Sequence, residues 1–196
     1  MMRRPLVGTS YGPEAFRKMR LYGEQSASSP VQNSVDEAII PRLISALKYM
    51  QNRQPRKNWG QYLAGDQLNW SQLIFTGQSQ GAGMSALLAK QHVLRRVVLF
   101  SSPWDTTAGR QVLAPWIFQD SVTPPERWYA GTHRKEMTYN LLMRSYRALN
   151  IPEEHIKVFE HGLPANFPAK RENPYHSQGI SNEIYADEWR EMFGTP

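Results

Sequence analysis

Apolar positions along this chain fall into two patterns. Compact apolar runs mark buried strands, and stripes recurring at threes and fours mark helices packed by one face. Residues 73–76 and 97–101 are the clearest strands, with others expected at 127–132 and 155–160 and a short one at Leu6-Val7-Gly8. Stripes predict a helix over 14–21, with Ala15, Phe16 and Met19 on one side. A second covers 137–149, with Leu141, Leu142, Tyr146 and Leu149, and stops at Asn150 and Pro152. A longer stripe holds Val35, Ala38, Ile39, Leu43, Ile44, Leu47 and Met50 behind Ser34 and Glu37, which are spaced as a capping box. It contains Pro41, which must kink or restart the helix because it has no amide proton. The polar and aromatic stretch 51–70 is expected to pack a short helix at the sheet edge. Ser181 is expected to cap a final helix carrying Ile184, Tyr185, Trp189 and Met192.

Between the first two strong strands lies the most informative stretch. Gly77-Gln78-Ser79-Gln80-Gly81 fits Gly-x-Ser-x-Gly, and good helix formers follow from Ala82, with Met84, Leu87 and Leu88 on adjacent turns. Strand, motif and helix in that order predict Ser79 on a sharp turn at a strand's end, its hydroxyl presented outward. Both flanking glycines are expected to be required, because side chains there would meet the crossing strand and helix. A strand–helix–strand order implies a parallel, right-handed crossover. The predicted fold is therefore α/β, a three-layer sandwich with a mostly parallel sheet.

Composition narrows the classes. A chain of 196 residues, 40% hydrophobic, suits a single domain, 1–196, with a sizeable core. Its apolar runs are too short to span a bilayer. The absence of cysteine excludes a disulfide framework, a cysteine nucleophile and thiolate metal sites. No His-x-x-x-His pair or carboxylate cluster at ligand spacing suggests a metal. The opening residues, Met1-Met2-Arg3-Arg4, are basic but lead into no apolar segment of signal-peptide length, so a cytoplasmic protein is expected. Net charge is +6, from 23 basic and 17 acidic residues, dispersed rather than gathered with exposed aromatics. Nucleic-acid binding is not the expected role.

A serine hydroxyl becomes a nucleophile when a histidine takes its proton and an acid fixes that histidine's tautomer. Ligands and catalytic groups gather outside the carboxyl ends of parallel strands. Of the five histidines, His92 falls at the far end of the motif helix, His133 precedes any late acid and fits the order only if Asp105 is its partner, and His155 begins a strand at the wrong end. His161 and His176 follow the last strand. His176, in a loop long enough to return it to Ser79, is the stronger base. Two acids compete for one role: Asp105, behind the strand after the motif, and Glu136, behind the next. Each has a structural alternative, Asp105 as a cap and Glu136 in a helix's first turn. The backbone amide of Gln80 is expected in the oxyanion hole. Residues 106–127, rich in proline and bulky apolar side chains, read as an excursion over the active edge, either the wall of an acyl pocket or a structural cover.

Several of these residues together resemble the α/β-hydrolase superfamily. They are the 77–83 motif, Ser101-Ser102-Pro103-Trp104-Asp105, the stretch Thr123-Pro124-Pro125-Glu126-Arg127-Trp128-Tyr129, His133-Arg134-Lys135-Glu136 and Pro174-Tyr175-His176. More narrowly, they are similar to a poorly characterised bacterial branch of serine hydrolases, over about residues 6–189. In that branch the motif is typically Gly-His-Ser-Gln-Gly, so Gln78 stands where a histidine is usual. The resemblance implies that Leu6-Val7-Gly8 corresponds to the family's fourth strand and residues 73–76 to its fifth. The earlier strands, and the loop with the second oxyanion donor, would precede Met1, which implies a fold shortened at its N-terminus. It also implies an acid after the family's seventh strand, which puts Glu136 ahead of Asp105. The activity implied is hydrolysis of a small-molecule carboxylic ester through an acyl-enzyme, with no metal or organic cofactor. The alternative is an inactive binding or interaction protein on the same fold.

Overall fold

The computed structural model describes residues 12–25, 32–107, 112–164, 167 and 172–194. The strand expected at Leu6-Val7-Gly8 lies outside them. The described residues divide into two units, one drawn from Met1–Leu73 and Asp105–Trp116, the other from Ile74–Trp104 and Ile117–Pro196.

In the first unit, helix α1 (Gly12–Tyr22) buries Phe16, Met19 and Leu21 and packs against α2 (Ile39–Arg53). The capping box forms, with the Ser34 amide donating to Glu37 Oε2 at 2.9 Å, but it closes only a 3-10 turn, Val35–Glu37. The helix restarts at Ile39, which leaves Pro41 in a first turn where its missing amide breaks no intrahelical bond. The expected short helix over 51–70 is instead two 3-10 turns, Pro55–Lys57 and Trp59–Tyr62, followed by a two-residue antiparallel ladder pairing Leu63 with Leu68. Pro55 ends α2, and Asn58, at φ 49, turns the chain before a new helix can propagate. Another short ladder pairs Thr106 with Leu113.

The second unit is built on one sheet. Its strands are β1 (Ile74–Gln78), β2 (Arg96–Phe100), β3 (Trp128–His133) and β4 (Ile156–Phe159), ordered β1-β2-β3-β4 and all parallel. Helix α3 (Gln80–Gln91) carries the chain from β1 to β2, and α4 (Tyr139–Ala148) from β3 to β4. Between β2 and β3 the proline-rich stretch makes 3-10 turns, Pro115–Phe118 and Pro125–Arg127, rather than a crossover helix.

Strand alternation sends successive side chains to opposite faces. On one face Val98, Phe100, Tyr129 and Phe159 pack with Tyr185 and with Met192 of α6 (Ala186–Phe193). Burying each such side chain contributes roughly 1.5–3 kcal/mol. On the other face Gly77 meets α3, whose Ala82, Gly83, Ser85, Ala86 and Ala89 are buried and small enough for close approach. Helices thus cover both faces of a parallel sheet, the three-layer α/β sandwich the sequence predicts.

The final helix differs from expectation. It is broken into α5 (Gln178–Ser181), a 3-10 turn Glu183–Tyr185, and α6. Ser181 does not cap it, because its hydroxyl turns back to the Ser177 carbonyl at 2.8 Å. Asn182 takes the part, its Oδ1 accepting from the Ile184 amide at 3.3 Å.

Candidate active site

The carboxyl ends of neighbouring strands are stitched by the residues just beyond them. The Ser79 amide donates to the Phe100 carbonyl at 3.0 Å, Ser101 to Gly131 at 2.9 Å, and Arg134 to Phe159 at 2.8 Å. Ser79, Ser101 and the turn leading to Glu136 therefore lie along one edge of the sheet.

Ser79 adopts φ 56, ψ −122. A residue with a side chain is held at such angles at a cost of roughly 1–3 kcal/mol, and only when its surroundings dictate it. The surroundings here are the end of β1 and the start of α3, with no residue between Gln78, Ser79 and Gln80 to relax the turn. A Cβ at Gly77 would fall 2.3 Å from the Gly81 carbonyl carbon, so that glycine is required for the crossing. The expectation for Gly81 is corrected, since a Cβ there meets nothing within 4 Å. Gln80 is the first residue of α3, so its amide stands at the positive end of the helix dipole.

Glu136 is the most enclosed acid of the group, its side chain 0% exposed. Its Oε2 accepts from Ser101 Oγ at 2.7 Å and Thr132 Oγ1 at 2.9 Å. Its Oε1 accepts from Thr138 Oγ1 at 3.0 Å and pairs with His176 Nδ1 at 2.6 Å. A carboxylate has about four lone-pair positions, and all are met, which is how burial is tolerated. Nearby, burial first and the Glu136 charge second push the Tyr146 hydroxyl well above its ordinary value. It stays a donor, to the Gly131 carbonyl at 3.1 Å.

With its Nδ1 proton on Glu136, the His176 ring keeps a basic lone pair on Nε2. No hydrogen bond joins Nε2 to Ser79 Oγ. The two segments are joined instead by the Gln78 side chain, whose Nε2 donates to the His176 carbonyl at 3.2 Å. The ring of Tyr175, next to His176, stacks on His133 with centroids 4.3 Å apart. His133 accepts the Lys135 amide at Nδ1 (3.0 Å) and donates from Nε2 to the His161 carbonyl at 2.8 Å, an arrangement only the neutral ring can make.

Asp105 belongs to the first unit. Its oxygens accept from Arg17 Nε at 2.7 Å, Arg17 Nη2 at 2.6 Å and Trp116 Nε1 at 2.9 Å. The remaining histidines have other partners. His155 stacks on Tyr129 at 4.1 Å, the His161 amide donates to the Tyr185 hydroxyl at 2.9 Å, and the His92 carbonyl accepts from Thr123 Oγ1.

Sequence reasoning gave no role to Ser101, Thr132, Thr138 or Gln78, though it noted Gln78 where a histidine is usual. A usable signal existed for the first two, hydroxyl residues at or just beyond strand ends beside a carboxylate that must be buried to orient a histidine. Among the described residues no group of three or more histidines, cysteines or acids could hold a metal ion, and no helix is long and apolar enough to cross a membrane.

No family model, curated protein or solved structure matches this chain. Its mixed α/β architecture, with helices flanking a parallel sheet, is consistent with the α/β-hydrolase superfamily in general.

Proposed function

We propose that the protein is a serine hydrolase cleaving small carboxylic esters through an acyl-enzyme. Ser79 Oγ attacks the ester carbonyl carbon while His176 Nε2 takes its proton. Glu136 holds the Nδ1 proton and offsets the charge that develops on the ring. The Gln80 amide, at the start of α3, stabilises the oxyanion. Collapse of the tetrahedral species breaks the bond to the alkoxy group, which leaves as the alcohol with the proton from Nε2. Water, deprotonated by the same nitrogen, then releases the acid and restores Ser79.

The observation that carries this reading is the 2.6 Å bond between His176 and a carboxylate with no exposed surface. Burial of an acid is unfavourable unless it is fully bonded, and three hydroxyls plus one imidazole are committed to this one. The acid role goes to Glu136 because both Asp105 oxygens are taken by Arg17 and Trp116.

A fluorophosphonate probe tests the reading. The folded protein should be labelled on Ser79, and Ser79→Ala should abolish labelling. A folded wild-type protein that resists the probe points to the second reading, a binding protein on the same fold. That alternative draws on the lack of a hydrogen bond between Ser79 Oγ and His176 Nε2.

A further inference from the structure

His176 has four polar groups, and all but one are bonded. Its amide donates to the Asn173 carbonyl at 3.2 Å, its Nδ1 holds Glu136 at 2.6 Å, and its carbonyl accepts from Gln78 at 3.2 Å. Only Nε2 is without a hydrogen bond among the described residues.

The carbonyl bond stands apart. The turn around His176 sends its own amides elsewhere, Gln178 to Tyr175 and both Ile180 and Ser181 to Ser177. The His176 carbonyl is therefore met by a side chain from 98 positions earlier, on the residue directly before Ser79. Gln78 is itself fixed, since its backbone pairs with Phe100 in the β1–β2 ladder and Phe100 is locked in the core against Phe159, with ring centroids 6.4 Å apart. In register with Phe100, Gln78 also shares the sheet face that packs on α6. One end of the tether is thus rigid sheet, and the other is the main chain of the histidine.

We propose that Gln78 is a positioning residue that sets the approach of His176 Nε2 to Ser79 Oγ, an inference that rests on the serine-hydrolase reading above. The Glu136 bond fixes the ring's tilt and tautomer. The Gln78 bond fixes how far the histidine's backbone stands from the turn carrying the nucleophile. It does so without touching substrate or any reacting atom. A side chain at this position must therefore donate a hydrogen at about the reach of a glutamine, and a histidine Nε2–H meets that condition.

The experiment compares wild type, Gln78→Met, Gln78→Glu and Gln78→His, measuring Ser79 labelling by the fluorophosphonate, kcat and KM for p-nitrophenyl acetate, and the thermal midpoint. Methionine keeps the length and loses the donor, glutamate replaces donor with acceptor, and histidine keeps an N–H. Gln78→Met and Gln78→Glu should lower kcat and the labelling rate roughly 10- to 100-fold, the scale of a misplaced catalytic group, with KM unchanged. Gln78→His should recover most of the wild-type rate. Wild-type kcat in Gln78→Met, or a change confined to the thermal midpoint, overturns the inference and leaves the hydrolase reading standing. If Gln78→Met does not fold, Gln78→His and Gln78→Glu decide the matter, and equal kcat in the two overturns it. Wild-type protein inert to both probe and ester overturns the hydrolase reading and this inference with it.

Discussion

Ser101, in the left-handed region at φ 53, donates its hydroxyl to Glu136 Oε2 at 2.7 Å. The strained backbone and the hydrogen bond belong together, for the turn after β2 is what brings the hydroxyl to the carboxylate. Two variants separate them. Ser101→Ala loses the bond and keeps the strain, whereas Ser101→Gly loses the bond and relieves the strain, worth about 1 kcal/mol. Both should be less stable than wild type, since a bond to a buried charge contributes about 1.5–3 kcal/mol. Ser101→Gly should be the milder of the two in chemical denaturation.

Glu136 is matched to its site in length as well as charge. Glu136→Gln puts an amide N–H₂ where hydroxyl or imidazole donors now point, so one oxygen's worth of partners faces another donor. Ser79 labelling should fall by about 10³- to 10⁴-fold, the scale of a lost orienting carboxylate. Glu136→Asp keeps the charge but ends one methylene short of His176, and it too should label slowly. Stopped-flow or gel-based labelling rates check both.

Acid should weaken the fold through His133. Burial, the largest cause, holds this histidine below its ordinary value, and Lys135 acts in the same direction. The His161 carbonyl, Glu136 and Glu160 oppose the shift without cancelling it. In the unfolded chain the ring takes a proton near pH 6.5, before the folded one does, so the unfolded state binds more protons below that pH. Stability is therefore full above about pH 6.5 and falls as pH drops toward the lower folded value. His92, lowered by burial, adds to the same slope. Thermal midpoints measured from pH 8 to pH 5 should decline, and less steeply in His133→Gln.

The two motif glycines should part company. A methyl group at Gly77 collides with backbone of Gly81 and Ala82, which cannot move aside, so Gly77→Ala should cost several kcal/mol or prevent folding. A methyl at Gly81 meets open space inside a helix, where alanine is favoured over glycine by roughly 0.5–1 kcal/mol. Gly81→Ala should raise the thermal midpoint.

The sheet and the pairing of His176 with Glu136 were within reach of the sequence because the candidates follow from order along the chain. Apolar runs placed β1 to β4, and the residues behind the strand ends supplied Ser79, Glu136 and His176 as candidates. Order along the chain did not choose between the acids, since Asp105 and Glu136 each follow a strand, and only the family resemblance put Glu136 ahead. What distinguishes them is Arg17, a partner 88 positions from Asp105 that no local pattern announces. The hydroxyls around Glu136 were hidden for a similar reason. Ser101 and Thr132 converge only because Phe100 pairs with Gly131, and serine and threonine are common at strand ends. The misplaced cap at Ser181 was a choice between adjacent residues with equal capping chemistry, decided by the direction its hydroxyl took.

The hydrogen bonds that hold His176 reach back 40 residues to Glu136 and 98 to Gln78. Contacts of such long sequence separation are the slow ones to form, because chain closure must precede any gain from them. Strand pairing within the sheet joins residues much nearer in sequence, such as Phe75 with Val97, and can precede the placing of the histidine. On the proposed hydrolase reading, labelling of Ser79 during refolding should therefore follow the closure of these distant contacts, and so report the completion of folding rather than its beginning.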